Sequence, residues 1–305
     1  MKISLANAPV SYGVFEMTVG TDRYLAHTER LLDEVAGAGY QGIDLGPVGY
    51  LGQGTGLAEA LASRGLGLAG GYIDLPFSEP DRLPGEMARL DSLIDAFDAA
   101  GRLPDRPAPR PTLAAAGSEA HRRHPGAAQH DRSIGFDEDA WRRLGDGLRR
   151  VVERCRERGY EPTFHHHAAT WVEAPWEIER VLELSDVGLC LDTGHLMVGG
   201  GDPVELLAKW ASRINHVHLK DVRRDLLDQI VSQGAPADQI WLRDVFCPLG
   251  LGGLDVGGVL DGLRSVGYEG WLIVEQDVFT TDAPRFEKAV TDQRANRRFL
   301  EQRGP

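Results

Sequence analysis

Short apolar runs alternate with amphipathic stretches along almost the whole chain. The runs predict strands at 2–6, 40–45, 66–73, 111–115, 161–167, 187–192, 214–219 and 270–276. Apolar positions at helical spacing predict helices near 22–38, 56–64, 84–101, 137–159, 174–185, 202–212, 256–267 and 284–302. Strands that alternate with helices indicate a parallel sheet, and about eight such units suit a sheet that closes into a barrel.

This alternation favours an α/β fold with a single (β/α)₈ TIM barrel over residues 1–305. A doubly wound open sheet also alternates, but it often has a glycine-rich phosphate turn, and no Gly-X-Gly-X-X-Gly follows the first strand. Helix-ending glycines such as Gly39 and Gly159 mark turns from helix to strand. Two segments break the spacing: we expect 102–135 to be a long loop around one short strand, and 222–255 to be a helix and a loop near the barrel mouth.

The composition restricts the binding partners and the cellular location that we expect for the protein. The chain has 305 residues, 42% of them hydrophobic, which is ordinary for a globular core. Its formal net charge is -13, so it lacks the basic surplus that would neutralise nucleic-acid phosphates. No stretch reaches the roughly 20 apolar residues of a membrane span, and the N-terminus lacks a signal-type apolar core. Three widely spaced cysteines fit reduced thiols, so we expect a cytoplasmic protein that binds neither nucleic acid nor membranes.

Polar side chains gather at the ends of four predicted strands. They are His165 to His167, Asp192 with His195, His216 with His218, and Glu275. In a (β/α)₈ barrel the carboxyl ends of the strands meet at the mouth, where catalytic groups lie. Imidazole and carboxylate groups gathered there suit a divalent metal site. The pattern therefore indicates an enzyme.

Strand geometry predicts which of these side chains point into the barrel. Side chains alternate along a strand, so His165 and His167 share one face, and His218 and Lys220 share one face of another strand. Asp192 alone fits an ordinary helix N-cap. Three separate strands would have to mimic the pattern by coincidence, however, so the metal-site interpretation is favoured.

Other polar residues have ordinary structural explanations. His216 is as readily a satisfied core histidine as a functional one, and His166 is expected to face the helical layer. Cys190 precedes Asp192 on the same face and is expected to serve packing. The histidines of the irregular segment are expected to be solvated; they are His121, His124 and His130.

Four phrases carry a resemblance to a known family. They are His-His-His-Ala-Ala-Thr from His165, Leu-Asp-Thr-Gly-His-Leu from Leu191, His-Val-His-Leu-Lys-Asp from His216, and Gly-Tyr-Glu-Gly-Trp-Leu-Ile-Val-Glu-Gln-Asp from Gly267. Here the chain resembles the inosose dehydratase branch of the xylose isomerase-like barrel superfamily, which also includes sugar epimerases, sugar isomerases and endonuclease IV-type nucleases. The likeness is fainter near the start, and segment 78–135 shows little that matches.

The resemblance implies a metal ligand set. Epimerase relatives hold their metal with Glu, Asp, His and Glu from four strands, and Asp192, His218 and Glu275 match the last three. His165 stands where the first glutamate is expected, and the inosose dehydratases have a similar His-His-His phrase. The fourth ligand is therefore either His165 or His167. This mixed set favours Mn²⁺ or Co²⁺ and also accepts Zn²⁺ or Fe²⁺.

The implied activity is that of a metal-dependent dehydratase, a lyase that acts on a keto-inositol or a similar cyclic keto-polyol through an enediolate. Whichever of His165 and His167 does not bind the metal is expected to act as acid or base. His195 and Lys220 are expected to orient substrate hydroxyls or stabilise the oxyanion. Substrate binding is further expected of three side chains: Tyr12, Trp171 and His216.

Three alternatives stay open. A metal-dependent sugar or sugar-phosphate epimerase or isomerase begins with the same enolisation but normally uses two carboxylates for proton transfer. A DNA repair nuclease of the endonuclease IV type needs a metal cluster and a basic groove, for which a net charge of -13 is unsuited. A non-catalytic sugar-binding barrel is the fourth possible function, and polar groups at four strand ends favour it less than they favour an enzyme. The resemblance also implies association as a homodimer or a higher homo-oligomer.

Overall fold

Eight parallel strands close into a barrel in the computed structural model, which describes residues 3–21 and 23–304. The barrel strands are β1 (Ile3–Asn7), β2 (Gly42–Asp44), β3 (Gly67–Leu75), β4 (Arg110–Ala115), β5 (Thr163–His165), β6 (Gly188–Asp192), β7 (Ile214–Leu219) and β10 (Gly270–Val274). Each strand pairs with its neighbours in chain order, and β10 closes the barrel against β1. A separate antiparallel pair consists of β8 (Asp221–Val222) and β9 (Phe246–Cys247).

Helices follow the barrel strands. The helices of eight residues or more are α1 (Thr28–Gly37), α2 (Gly54–Ala62), α3 (Leu83–Ala100), α5 (Glu138–Glu157), α6 (Pro175–Leu184), α8 (Pro203–Trp210), α9 (Arg224–Ser232), α11 (Val256–Ser265) and α12 (Ala283–Glu301). Shorter ones are α4 (Glu119–Arg123), α7 (Thr193–Val198) and α10 (Asp238–Leu242), and 3₁₀ turns cover Pro9–Tyr12, Ala127–Gln129 and Arg132–Ile134. In the described parts of the chain, no helix combines the length and apolarity needed to cross a bilayer.

This architecture confirms the predicted TIM barrel. The predicted strand at 2–6 and the predicted helix at 22–38 begin at residues that lie outside the described ones, Lys2 and Asp22. The helix itself begins only at Thr28. Before it, Thr18 stabilises a turn, because its hydroxyl donates to the carbonyl of Gly13 and accepts from the amide of Phe15.

The amino end of the barrel is filled by one aromatic side chain. Trp271, near the start of β10, packs against Gly42 and Gly67, which are the first residues of β2 and β3. A Cβ at Gly42 would lie 2.6 Å from the Trp271 ring, and one at Gly67 would lie 3.2 Å away. The indole nitrogen donates to the carbonyl of Pro107 at 2.9 Å. With this end packed, the open space of the barrel lies at the carboxyl ends of the strands.

The segment 222–255 is more ordered than a helix followed by a loop. It contains α9, α10 and β9, and the carboxylate of Asp221 organises its far end. Asp221 accepts hydrogen bonds from the amides of Gly250, Gly252 and Leu254 at 2.8, 3.0 and 2.9 Å. One buried carboxylate at the start of β8 therefore anchors this insertion to the barrel.

Candidate active site

A cavity of about 580 Å³ opens at the carboxyl ends of the barrel strands. Five of the predicted site residues line its floor: His165, His167, His218, Lys220 and Glu275. Its walls come from loops that include residues 14–17, 168–170 and 236–238. The cavity thus lies where a TIM barrel carries its catalytic groups.

Asp192, His218 and Glu275 converge at this floor, where His218 and Glu275 line the cavity and Asp192 is fully buried. One ligand atom from each lies within 4.8 Å of the other two. The Nδ1 atom of His218 is 3.5 Å from Asp192 Oδ2 and 3.2 Å from Glu275 Oε2. The barrel order causes this, because β6 and β10 flank β7 and the register pairs Asp192 with His218.

Asp192 uses its two carboxylate oxygens differently. Oδ1 accepts a hydrogen bond from the amide of His195 at 2.9 Å and so caps the N-terminus of α7. Oδ2 faces His165, His218 and Lys220. The N-cap and the place in the cluster are therefore both correct descriptions of this residue.

The two candidate fourth ligands have different neighbours. His165 Nε2 lies 3.2 Å from Asp192 Oδ2, so His165 and His218 approach the same oxygen. His167 groups instead with His195 and Asp277, and its ring centroid lies 3.7 Å from that of His195. The geometry groups His165 with the carboxylate cluster and His167 with a second set of polar groups beside it.

Lys220 connects the two sets. Its Nζ lies 2.9 Å from Glu275 Oε2, 2.9 Å from Asp277 Oδ1 and 3.2 Å from Asp192 Oδ2. It also lies 3.0 Å from His195 Nε2. Burial alone lowers the pKa of Lys220, but the three carboxylates outweigh it and raise that pKa well above its usual value. Lys220 is therefore an ammonium group at neutral pH.

Three histidines near Lys220 are neutral because burial disfavours the charged form of each ring. Burial lowers the pKa of His165 to about 3, and burial together with the Lys220 charge lowers that of His167 to about 4. Burial also lowers the pKa of His195 well below its usual value. A neutral imidazole has a free lone pair, which can bind a cation or accept a proton.

The donor set on the floor fits a divalent cation. Among the described residues, Nδ1 of His218 is buried without a hydrogen-bond partner although it lies near the carboxylates of Asp192 and Glu275. Buried polar atoms normally have partners, so this unpaired nitrogen beside two carboxylates points to a missing ligand. Two imidazoles and two carboxylates match Mn²⁺, Co²⁺, Zn²⁺ and Fe²⁺.

Several charged residues of the cavity lining were not assigned roles from the sequence, among them Asp44, Asp277 and Arg122. Asp44 and Asp277 are buried, and burial raises the pKa of each carboxyl to about 6. Both occur at or just after strand ends, the same signal that identified Asp192 and Glu275. Arg122 also lines the cavity, but it lies in the segment without a recognisable pattern.

The structure does not bring three predicted substrate-binding residues to the cavity lining. Tyr12 is buried against Phe286, with ring centroids 6.1 Å apart. Trp171 stacks on Phe136 at 4.2 Å, so its ring is used in packing. His216 is fully buried beside His218, with ring centroids 5.3 Å apart, because it precedes His218 by two residues along the same inward face.

The expectation of a solvated His121 is wrong. Its side chain is fully buried, with Nδ1 2.7 Å from Ser118 Oγ and Nε2 3.0 Å from Glu177 Oε1. Next to this pair, Glu173 accepts the amides of Gly126 and Ala169, each at 2.7 Å. Buried polar groups thus join residues 118–126 to residues 169–177 beside the cavity. The other two histidines of the segment, His124 and His130, are exposed as expected.

Comparison with known proteins identifies the family. A family model described as a xylose isomerase-like TIM barrel matches residues 32–302. The chain belongs to this family. Inosose dehydratase of Geobacillus kaustophilus (strain HTA426) is 33% identical over 274 residues, which are 88% of this chain and 86% of that protein. Rhizopine catabolism protein MocC of Rhizobium meliloti is 33% identical over 281 residues, covering 91% and 82% of the two chains.

Solved structures show the same fold at lower identity. An IOLI protein with a bound zinc atom superimposes with a TM-score of 0.69 at 15% identity, covering 99% of this chain and 98% of that one. An L-ribulose 3-epimerase has a TM-score of 0.67 at 18% identity, covering 98% and 94%. The sequence relatives confirm the resemblance to the inosose dehydratase branch. The family member described here is an enzyme of the lyase class.

Proposed function

We propose that this enzyme is a metal-dependent hydro-lyase that removes water from a keto-inositol or a closely similar cyclic keto-polyol. The observation that carries the proposal is the convergence of Asp192, His218 and Glu275 on the cavity floor, within 4.8 Å of one another. Similarity to an inosose dehydratase across 88% of the chain supports the same reaction and a sugar-like substrate. The cavity of about 580 Å³ has room for a cyclic polyol.

We infer that four side chains hold the cation: His165, Asp192, His218 and Glu275. His165 is chosen over His167 because His165 and His218 approach the same oxygen of Asp192. When bound, a divalent cation polarises the substrate carbonyl as a Lewis acid and so makes the neighbouring C–H bond more acidic. Mn²⁺ or Co²⁺ is the favoured ion for this mixed donor set.

His167 is the proposed proton-transfer group. Its Nδ1 lies 2.8 Å from the carbonyl oxygen of Ala168, which can only accept a hydrogen bond. The proton of the neutral ring is therefore on Nδ1, and Nε2 has the lone pair. His167 lines the cavity, so Nε2 can take the proton from the carbon next to the carbonyl group.

Elimination then follows from the resulting enediolate of the substrate. Its electron pair forms the new carbon–carbon double bond as the bond to the β-hydroxyl breaks. The His167 imidazolium returns its proton to the departing oxygen, so that water leaves and the side chain is regenerated. Lys220 lines the same floor as an ammonium group and donates hydrogen bonds to the negative oxygen that develops.

Turnover of a keto-inositol tests the proposal. Metal-stripped enzyme is assayed by mass spectrometry for loss of one water, with and without added Mn²⁺ or Co²⁺. We expect dehydration only with metal, and loss of metal-dependent turnover in His218→Gln. His124→Gln is the matched control, because His124 is exposed and does not line the cavity. Metal-loaded enzyme that epimerises a ketose without dehydrating keto-inositol would instead support the epimerase alternative.

A further inference from the structure

Cys190 lies inside the barrel next to the proposed cation ligands. It is fully buried on β6, two residues before Asp192 on the same inward face. The register pairs it with His165 on one side and with His216 on the other. Its Sγ and one ring nitrogen each of His165 and His218 lie within 4.8 Å of one another. The proposed dehydration mechanism gives this thiol no role.

The two histidines each have a second nitrogen available. Asp192 Oδ2 approaches His165 at Nε2 and His218 at Nδ1. The opposite atoms, Nδ1 of His165 and Nε2 of His218, are buried and lack a hydrogen-bond partner in the part of the chain that the structure describes. Both side chains are at least nine-tenths buried. Each of the two histidines near Cys190 therefore has one buried ring nitrogen that Asp192 does not approach and that has no hydrogen-bond partner.

We propose that Cys190, His165 and His218 form a second cation site, which takes thiophilic divalent ions such as Zn²⁺ or Cd²⁺. One sulfur and two imidazole nitrogens are a soft donor set that these ions prefer, whereas Mn²⁺ prefers oxygen ligands. On binding, a bond forms between the ion and sulfur, and the thiol proton is released to solvent. His165 and His218 line the cavity, so the ion has an entry route.

Occupation of this thiol site excludes occupation of the Asp192–Glu275 site. This step rests on the proposed function, because both sites use His165 and His218. A ring that turns its lone pair toward Cys190 is lost to the carboxylate cluster, and two divalent ions so close together would repel strongly. Thiophilic ions therefore inhibit the enzyme in competition with the activating Mn²⁺.

Cadmium spectroscopy tests the thiol site independently of turnover. Cd²⁺ is titrated into metal-stripped wild type, Cys190→Ser and Cys247→Ser, and the ultraviolet thiolate-to-cadmium charge-transfer band is recorded. We expect the band in wild type and Cys247→Ser and its absence in Cys190→Ser. Cys247 is a matched control because it is equally buried but lies on β9, outside these groups. Should Cys190→Ser fail to fold, Cys190→Ala replaces it.

Inhibition gives the second readout. With each variant normalised to its own Mn²⁺-supported turnover, removing the sulfur ligand is expected to weaken Zn²⁺ inhibition about tenfold or more. A charge-transfer band that persists in Cys190→Ser, or equal Zn²⁺ inhibition of both proteins, overturns the thiol site. Wild type that binds Cd²⁺ without the band, and turns over with Mn²⁺, also overturns it while the proposed function stands. Failure to bind any cation contradicts both.

Discussion

Replacing Lys220 with methionine tests the electrostatics of the cavity floor. Its ammonium group lies within 2.9 to 3.2 Å of oxygens from Glu275, Asp277 and Asp192, and all four side chains are buried. Methionine keeps much of the side-chain volume but leaves these carboxylates without the positive charge. Removing one partner of a buried ion pair typically costs about 3–5 kcal/mol. We expect metal-free Lys220→Met to lose that much of its free energy of unfolding.

Urea unfolding at neutral pH in the presence of a chelator measures this loss. Lys209→Met is the matched control, because Lys209 pairs with Glu179 on the surface and 57% of its side chain is exposed. An exposed pair contributes at most about 1 kcal/mol. Added Mn²⁺ is expected to recover part of the stability of Lys220→Met, since the cation restores positive charge beside the carboxylates. Equal losses in the two variants would refute the description of the floor as a buried charge network.

Two further variants test the cavity mouth. Burial raises the pKa of the Glu173 carboxyl from 4.5 to about 7, so the folded state holds its proton more tightly and stability falls as the pH rises through this range. Glu173→Gln is expected to reduce the pH-dependent fall in the free energy of unfolding by up to about 3 kcal/mol. The exposed control Glu119→Gln is expected to leave this fall unchanged, and urea unfolding at both ends of the pH range measures it. Arg122→Ala is expected to raise KM about tenfold with little change in kcat, because its guanidinium lines the mouth of the cavity. A KM equal to that of the exposed neighbour variant Arg123→Ala would contradict a substrate contact.

The barrel fold and the polar residues at its mouth could be predicted because each depends on short stretches of sequence. Each strand and helix has its own hydrophobic period, and a parallel barrel brings every carboxyl strand end to one mouth. Asp192, His218 and Glu275 each stand at such an end, so their convergence follows from the fold class alone. The proposal of His165 rather than His167 as the fourth ligand depends on which ring approaches Asp192, and the sequence does not reveal that distance.

The cavity mouth was not predictable in the same way. His121 is buried through a contact with Glu177, which is 56 residues away along the chain. The stacking of Trp171 on Phe136 likewise depends on a partner in another loop. The local sequence around an aromatic residue in a loop therefore does not show whether its ring faces the cavity or the core. Arg122 lies in a segment without periodicity. The metal, the self-association and the cytoplasmic location stay predictions.

The two irregular segments of the chain are joined directly to each other at the mouth. The amide of Ala237, from the insertion after β8, donates to the carbonyl of Arg122 at 2.7 Å. The two segments that form the rim of the cavity are thus hydrogen-bonded to each other. The proposed cation ligands, in contrast, lie on barrel strands or directly beyond their ends. Insertions and exchanges in the rim can therefore alter which molecules are admitted while the chemistry beneath is kept. Because the rim and the ligands belong to different parts of the fold, the substrate specificity of such a barrel can change without loss of its metal ligands.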